Sequence, residues 1–266
     1  MVQEKDIFNR SELLVGPAAM DKIKKARVIL FGLGGVGSWC AESLVRSGIS
    51  HLTIVDSDCI SVSNINRQLP ATTDTIGLAK AEVLKTRLHT INPHAKIISI
   101  QSAYTEKNND MFNLGAYDYI IDAIDSLEHK ASLIINATCT KAVLFSSMGA
   151  ALKLDTSHVQ TAEFWKVSGC PMAAALRRRF KKNGLPAKKF QCVFSDEVLE
   201  NKGYLSNVST NQYGDDISYD KSDHFAFQSV LDERKARING AMVHITAIFG
   251  FTLAGLVIQD ITGLTS

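Results

Sequence analysis

The sequence predicts an α/β fold built on a doubly wound, mostly parallel sheet, with additional strands and an apolar helix toward the C-terminus. Short apolar, β-branched runs alternate with helical segments between residues 25 and 150, as in strands joined by crossover helices. The run Arg27–Phe31 ends in Gly32-Leu33-Gly34-Gly35-Val36-Gly37, and the residues after it have helical character. A strand, a GxGxxG turn and a helix in this order indicate a Rossmann-like fold that binds a nucleotide phosphate.

Length and composition predict one domain with a substantial core. The chain has 266 residues, 45% of them hydrophobic, and we expect a nucleotide-binding core at 1–150 and a substrate-binding and dimerisation part at 151–266. The formal net charge of +2 means that nucleic-acid binding would need a local basic cluster. The cysteines form no CxxC pair and the N-terminus is polar, so we expect no disulfide framework, no zinc site and no signal peptide, as in the reduced cytoplasm.

The glycines of the loop have distinct predicted roles. Gly32 allows the tight turn, Gly34 lets a phosphate approach the backbone, and Gly37 lets the helix pack closely on the strand. The next predicted strand, His51–Val55, delivers Asp56 roughly twenty residues beyond the loop, where a carboxylate binds a ribose hydroxyl. Up to this point an NAD(P)-dependent dehydrogenase remains an open alternative.

The residues after Asp56 favour ATP over a nicotinamide cofactor. Asp56-Ser57-Asp58 leads into Ser63-Asn64-Ile65-Asn66-Arg67-Gln68, and Gly77-Leu78-Ala79-Lys80 opens the next helix. Hydride transfer needs no cation aimed at the phosphate tail, whereas ATP cleavage must stabilise charge on the departing pyrophosphate. This order of motifs resembles the ubiquitin-activating-enzyme-like superfamily, whose bacterial members adenylate a carboxylate.

The resemblance implies an ATP site with a Mg²⁺ ion. It places the phosphate and ribose contacts mostly in the glycine loop and in the polar segment that follows. The implied ATP-binding residues are Gly32, Gly34, Gly35, Gly37, Asp56, Asp58, Ser63, Asn64, Asn66, Arg67, Gln68, Lys80, Asp125 and Ser126. The implied catalytic residues are Arg10, Arg67, Lys80 and Asp125.

The role of Arg10 is implied by the resemblance alone. Relatives begin with a similar F-x-R, here Phe8-Asn9-Arg10, followed by a leucine-rich turn. In those relatives the arginine reaches the ATP phosphates of the partner subunit, which implies a homodimer and a cation supplied in trans. The alternative is that Arg10 is a solvated surface charge, and the same alternative applies to Lys80.

Asp125 is predicted to end a buried strand that covers residues 119–125. Ligands bind at the carboxyl ends of parallel strands, so this carboxylate is expected beside the phosphates, and the resemblance makes it the Mg²⁺ ligand. Taken alone, Asp125-Ser126 ahead of a helix is equally consistent with an N-cap. Ser126 stands where the family frequently has Asn, and Asp122 is expected to be structural.

Five of the six residues at 177–182 are basic, and such a run indicates either a solvated helix end or a contact with RNA. It is followed by Gln191-Cys192-Val193-Phe194-Ser195-Asp196-Glu197, and together they resemble one branch of the superfamily, the tRNA threonylcarbamoyladenosine dehydratases. The resemblance implies ATP-dependent cyclisation of N6-threonylcarbamoyladenosine in tRNA through its adenylated carboxylate, with AMP and pyrophosphate as products. The candidate tRNA-binding residues are Arg177, Arg178, Arg179, Lys181 and Lys182.

Other functions remain open at this point. The main alternative is adenylation of the C-terminus of a ubiquitin-like or sulfur-carrier protein, although relatives with that activity commonly carry paired CxxC zinc motifs that are missing here. A nucleotide-sensing module without catalysis is another alternative. Sulfur-transfer proteins are candidate partners. Cys192, flanked by apolar residues on a predicted strand, is expected to be a core residue rather than a nucleophile.

Two segments near the C-terminus complete the prediction. Residues 200–223 are rich in Asn, Ser, Asp, Gly and Tyr and are predicted to form a mobile loop. Residues 238–261 are strongly apolar and approach the length of a membrane span. Polar residues within them, and the lack of a basic cluster at either end, favour a buried helix over peripheral membrane association through 241–258. His244 is expected to be a satisfied core residue.

Overall fold

The computed structural model describes residues 4–203 and 239–263, which form a seven-stranded sheet flanked by helices. The strands are β1 (Arg27–Phe31), β2 (His51–Val55), β3 (Lys96–Ile100), β4 (Tyr119–Asp122), β5 (Val143–Ser147), β6 (Val159–Glu163) and β7 (Gln191–Ser195). The helices are α1 (Glu4–Ile7), α2 (Asn9–Val15), α3 (Pro17–Lys25), α4 (Gly37–Arg46), α5 (Lys80–Ile91), α6 (Leu127–Thr138), α7 (Pro171–Asn183) and α8 (Val243–Thr262). Residues 204–223 of the predicted mobile loop lie outside the described residues.

The sheet is doubly wound about β1, which confirms the predicted fold class. Its strand order is β3-β2-β1-β4-β5-β7-β6, and the neighbouring strands are parallel except β6 and β7. The chain runs outward from β1 to β3 and then returns to β4 on the other side of β1. The strand order therefore reverses between β1 and β4, and the carboxyl ends of these two strands leave the crevice in which such sheets bind ligands.

Alternating strand residues supply two apolar layers. Val28 and Leu30 of β1 face the layer that contains α4, α5 and α8, whereas Ile29 and Phe31 face the layer that contains α6 and α7. Helices cover both faces of the sheet, which explains why β1 is an unbroken apolar run rather than an alternating one.

Strand β4 ends at Asp122, so the predicted end at Asp125 is wrong. The backbone N–H of Ala123 still donates to the carbonyl oxygen of Phe31 at 2.8 Å. The next N–H, of Ile124, instead donates to Oδ1 of Asp122 at 3.1 Å, which turns the chain out of the sheet. Asp125 consequently lies in the loop between β4 and α6.

Helix α8 contains the apolar segment that the sequence singles out. By length and composition it would suffice to cross a membrane, yet Ile245, Phe249 and Leu253 are completely buried within the protein. The helix packs along α4, where a Cβ on Gly250 would lie 2.5 Å from the carbonyl oxygen of Val36. One face of α8 therefore belongs to the core.

The prediction that His244 is a core residue is wrong. This side chain is exposed at the start of α8, and its Nε2 lies 3.0 Å from the carbonyl oxygen of Leu154. The first turn of a helix lies at the edge of the core, where an apolar surrounding sequence does not ensure burial.

Candidate active site

The glycine loop lies in the crevice between β1 and β4. Gly32 has a φ of +86°, and a Cβ there would lie 2.6 Å from the carbonyl oxygen of Ala123, just beyond β4. A Cβ on Gly37 would lie 1.8 Å from the carbonyl oxygen of Gly32, so α4 begins directly against the loop. A Cβ on Gly34 would meet only the side chain of Gln68, at 3.8 Å. The loop is thus tightly packed at its two ends and open at Gly34, where a phosphate can approach the backbone.

Asp56 follows β2 and binds the glycine loop. Its Oδ2 accepts a hydrogen bond from the backbone N–H of Leu33 at 2.6 Å, and its Oδ1 accepts one from the N–H of Asp58 at 2.8 Å. Burial raises the pKa of Asp56 above its ordinary value, against the opposing effect of these two donors and of Lys80. A carboxylate accepts more than two hydrogen bonds, so Asp56 retains capacity for a ribose hydroxyl.

The polar segment at residues 61–68, together with Leu69 directly after it, is bonded to the start of α4. The hydroxyl of Ser38 donates to the carbonyl oxygen of Gly34 at 2.7 Å and accepts from the N–H of Leu69 at 3.2 Å. The indole N–H of Trp39 donates to the carbonyl oxygen of Arg67 at 3.1 Å. These bonds place the segment beside the glycine loop.

Two asparagines of this segment hold the protein's own backbone. Asn64 is buried, and its Oδ1 accepts a hydrogen bond from the N–H of Ser61 at 3.1 Å. Asn66 donates to the carbonyl oxygen of Ala241, ahead of α8, at 2.9 Å. Both residues therefore shape the wall of the crevice.

Arg67 and Gln68 offer groups to a ligand. Nη1 of Arg67 donates to the carbonyl oxygen of Ser63 and to Oδ1 of Asn66, each at 2.9 Å, and the rest of the guanidinium makes no hydrogen bond to a described residue. Gln68 is buried, and its Oε1 has no partner within residues 4–203 and 239–263. The amide nitrogen of the same side chain lies 3.8 Å from the position of a Cβ on Gly34, so this buried side chain borders the open part of the loop.

Lys80 begins α5 with its side chain largely buried. Its Nζ donates to Oδ2 of Asp58 at 2.9 Å, and its backbone N–H donates to the carbonyl oxygen of the same residue at 3.0 Å. Asp58 is exposed, so a phosphate could replace its carboxylate beside the ammonium without leaving a buried charge behind.

Asp125 and Ser126 lie in the loop after β4. Asp125 is exposed and accepts no hydrogen bond from a described residue, and Ser126 precedes α6 without a side-chain capping bond. One free carboxylate beside nucleotide phosphates suits Mg²⁺, which takes few protein ligands. The described part of the chain holds no group of three or more His, Cys, Asp or Glu side chains that would bind a metal without a nucleotide.

A model of the ThiF family matches residues 8–265, an interval that contains every part of this crevice. The chain belongs to the ThiF family. Within it, tRNA threonylcarbamoyladenosine dehydratase from Bacillus subtilis is 38% identical over 190 residues, which cover 71% of this chain and 74% of that protein. The structure of Escherichia coli tRNA N6-threonylcarbamoyladenosine dehydratase in complex with ATP matches with a TM-score of 0.80 at 30% identity, over 99% of this chain and 97% of that chain.

A ThiF relative of the alternative class is also similar. Molybdopterin-synthase adenylyltransferase from Escherichia coli is 30% identical over 185 residues, which cover 69% of this chain and 72% of that protein. The identity to the dehydratase from Bacillus subtilis is higher, and the structure of the dehydratase from Escherichia coli matches nearly the whole chain. The predicted resemblance to the dehydratase branch is therefore confirmed.

Lys130 is a feature of this ThiF site that sequence analysis missed. Its ammonium lies 2.6 Å from Oδ2 of Asp122 beneath the Asp125 loop, and both side chains are completely buried. One signal was present, because Lys130 occupies the same helical stripe as the buried Ile134 and Ala137. The expectation that Asp122 is structural agrees with these contacts.

Arg10 lies on the exposed surface of α2 and makes no hydrogen bond or ion pair with a described residue of this ThiF chain. Helix α2 packs on α3. Beside Arg10, the side chains of Leu13 and Leu14 are 86% and 83% exposed.

The basic residues of α7 divide into two kinds. Nη1 of Arg177 donates to the carbonyl oxygens of Phe164 and Val167 at 3.2 and 2.8 Å, so this guanidinium holds the protein's own backbone. Arg179 is half-buried. The exposed members are Arg178, Lys181 and Lys182.

All five cysteines of the ThiF chain are free. Cys192 is completely buried on β7, and burial raises the pKa of its thiol well above the ordinary value. A thiol in this state is a poor nucleophile, in agreement with the expected packing role.

Proposed function

We propose that this protein catalyses the ATP-dependent dehydration of N6-threonylcarbamoyladenosine in tRNA. The observation that carries the proposal is the likeness, over nearly the whole chain, to a dehydratase whose structure holds ATP. The open Gly34, with the side-chain amide nitrogen of Gln68 beside it, supports the same ligand in this chain.

The reaction has two steps. A carboxylate oxygen of the modified nucleoside attacks the α-phosphorus of ATP, which forms the acyl-adenylate and releases pyrophosphate. A nitrogen or oxygen of the same threonylcarbamoyl group then attacks the acyl carbon, and AMP leaves as the ring closes. The nucleoside loses one water overall, with its oxygen retained in AMP and its two protons released.

The residues of the crevice bind and orient ATP. Gly32, Gly34, Gly35 and Gly37 line the phosphates, and Asp56 accepts from the ribose. Arg67 and Lys80 stabilise the charge that develops on pyrophosphate, with Lys80 exchanging its contact to Asp58 for a phosphate oxygen. Ser63, Gln68 and Ser126 are further proposed contacts of the nucleotide. Asn64 and Asn66 complete the proposed site by holding its wall through their bonds to the backbone.

Asp125 holds Mg²⁺ in this proposal. Its carboxylate is exposed and unpaired among the described residues, so it is available to hold the ion beside the phosphates. Mg²⁺ held by Asp125 would neutralise charge on the polyphosphate.

The second half of the chain, 151–266, supplies the surface for tRNA. The exposed basic residues Arg178, Lys181 and Lys182 would contact phosphates of the RNA backbone, with Arg179 at the margin. Arg177 is left out of this surface because it holds backbone carbonyls.

The proposed assembly is a homodimer in the cytoplasm. Leu13 and Leu14 expose large apolar side chains on α2, beside Arg10. Burial of these leucines against a second copy would bring Arg10 to the partner's ATP phosphates, where an arginine stabilises charge in the transition state. Sulfur-transfer proteins remain proposed partners.

The decisive experiment measures AMP release from ATP and Mg²⁺ with two preparations of one tRNA, with and without the threonylcarbamoyl modification. We expect AMP only with the modified tRNA, together with a nucleoside lighter by one water in mass spectrometry. Equal AMP release with both preparations, or none with either, would refute the proposed substrate.

Adenylation of a carrier protein is the second candidate, favoured by the 30% identity to molybdopterin-synthase adenylyltransferase. It predicts that a small protein ending in Gly-Gly stimulates exchange of pyrophosphate into ATP. The same exchange assay with modified tRNA in place of the protein separates the two functions.

A further inference from the structure

We propose that the buried ion pair between Lys130 and Asp122 positions the loop that carries Asp125 and so sets this carboxylate against the glycine loop. The inference rests on the proposed adenylation reaction. It gives a role in that reaction to two positioning residues that are buried beneath the site.

Burial is the first observation. Lys130 and Asp122 are each 0% exposed, with Nζ and Oδ2 2.6 Å apart. Desolvation offsets much of the attraction in such pairs, and an apolar pair of equal volume is often as stable or more so. Stability alone is therefore a weak reason for two charges here. The directional hydrogen bonds that they make, in contrast, fix the positions of the segments that they join.

Those bonds join four parts of the structure. Oδ2 of Asp122 also accepts from the hydroxyl of Ser146 at 2.7 Å, and its Oδ1 accepts from the N–H of Ile124 at 3.1 Å. The ammonium of Lys130 also donates to the carbonyl oxygen of Ser147 at 2.9 Å. The pair thus links the ends of β4 and β5, the start of α6 and the loop that leads to Asp125.

The loop between β4 and α6 in turn packs tightly against the glycine loop of the proposed ATP site. The N–H of Ala123 donates to the carbonyl oxygen of Phe31, and the carbonyl oxygen of Ala123 leaves no room for a Cβ on Gly32. A shift of Ala123 must therefore move either the glycine loop or Asp125. Misplacement of a reacting group by about 1 Å lowers rates on the order of 10²-fold.

The test is the double variant Asp122→Asn with Lys130→Met. It removes both charges, retains an amide oxygen for the N–H of Ile124, and fills similar volume. We expect thermal unfolding within a few degrees of the wild type. The Mg²⁺ concentration for half-maximal ATP binding should rise at least about tenfold, and kcat for AMP release should fall on the order of 10²-fold with the KM for tRNA unchanged. Lys141→Met, at an exposed lysine just after α6, is the matched control and should change none of these.

Ser146→Ala covers the case in which the double variant does not fold, since it removes only one donor to Asp122. We expect the same two changes at reduced size, with several-fold effects. Wild-type Mg²⁺ dependence and kcat in a folded double variant, or in Ser146→Ala when the double variant fails to fold, would overturn the proposal. If the wild type binds ATP with Mg²⁺ yet releases no AMP with modified tRNA, the proposed function fails, and the Mg²⁺ titration still decides the positioning role.

Discussion

At the residue scale, two carboxylates of one short segment differ completely in their surroundings. Asp122 is buried and accepts from an ammonium, a hydroxyl and a backbone N–H. Asp125 is exposed and makes none of these contacts among the described residues. A saturated carboxylate has little capacity for a metal ion, whereas an exposed and unpaired one is available. Asp125, rather than Asp122, is therefore the carboxylate that we propose as the Mg²⁺ ligand.

We predict that Asp125→Asn lowers AMP release at least about 10²-fold, because charge on the polyphosphate is no longer neutralised by a correctly held ion. The side chain is exposed, so the free energy of unfolding should change by no more than about 0.5 kcal/mol. Single-turnover AMP release and thermal unfolding measure the two effects. Glu128→Gln, at an exposed residue of the same region, is the control and should retain activity. Full turnover in Asp125→Asn would refute the proposal that Asp125 binds Mg²⁺.

A second prediction concerns pH. Nδ1 of His158 lies 2.7 Å from Oδ1 of Asp196, and Asp155 lies 3.9 Å from Nε2. The hydrogen bond to Asp196 and the nearby carboxylates raise the pKa of His158 above its ordinary value of 6.5. Because the folded-state pKa is raised, the pair stabilises the fold fully below pH 6.5, and this contribution disappears as the pH rises through the raised value.

An NMR titration of the imidazole tests this, with Asp196→Asn as the comparison. We expect the His158 midpoint to be lower in the variant than in the wild type. Identical His158 midpoints in the two proteins would contradict the ion pair.

At the element scale, two glycines of the same loop serve different purposes: Gly37 is needed for folding, whereas Gly34 is proposed to be needed for ATP binding. A Cβ on Gly37 would clash with the carbonyl oxygen of Gly32 at 1.8 Å, whereas one on Gly34 would have no protein atom nearer than 3.8 Å. We predict that Gly37→Ala destabilises the fold by about 1–3 kcal/mol, since backbone must shift. Gly34→Ala should retain stability and lose ATP affinity, because the methyl group occupies the path of a phosphate. Thermal unfolding and ATP calorimetry on both variants check this, and the reverse pattern would exclude the proposed site.

Helix α7 makes a similar contrast between packing and binding. We predict that the triple replacement of Arg178, Lys181 and Lys182 by Ala weakens tRNA binding and lowers its dependence on salt concentration, by roughly one unit of log–log slope for each RNA phosphate that the variant no longer neutralises. Arg177→Ala should instead destabilise the protein by about 1–3 kcal/mol, because two carbonyl oxygens lose their donor. Binding measured over a series of salt concentrations distinguishes them. An unchanged slope in the triple variant would show that these three residues do not contact RNA phosphates.

The elements predicted from sequence are those with local signals. The glycine loop, the strand before it and Asp56 follow from a pattern within about thirty residues, so the nucleotide crevice was predictable. The end of β4 was not, because it depends on a hydrogen bond to Asp122 that turns the chain. The helical stripe of Lys130 indicates burial, but its contact with the carbonyl oxygen of Ser147 was not predictable, since that residue belongs to another strand. The contact of Asn66 with Ala241 joins segments that no local pattern relates.

At the scale of the whole molecule, α2 is the element through which a second copy would complete the site in the proposed dimer. We predict that Leu13→Asp with Leu14→Asp converts a dimer to a monomer in sedimentation experiments and lowers AMP release, because Arg10 no longer reaches the partner's phosphates. Leu185→Asp, at an exposed leucine beyond α7, is the control and should remain dimeric. Mixing Arg10→Ala with Lys80→Ala should restore part of the activity, since mixed dimers contain one intact site. No recovery on mixing would argue against action in trans.

The contact between α8 and the glycine loop has a consequence for biosynthesis. A Cβ on Gly35 would touch the side chain of Thr246 at 3.0 Å, and Asn66 bonds to Ala241 across 175 residues of sequence. At ribosomal speeds of about 5–20 residues per second, the loop waits on the order of ten seconds or more for this helix to be translated. The nascent protein therefore remains without a finished ATP site until α8 leaves the ribosome, and the α4 surface that α8 later covers stays exposed to solvent during that interval.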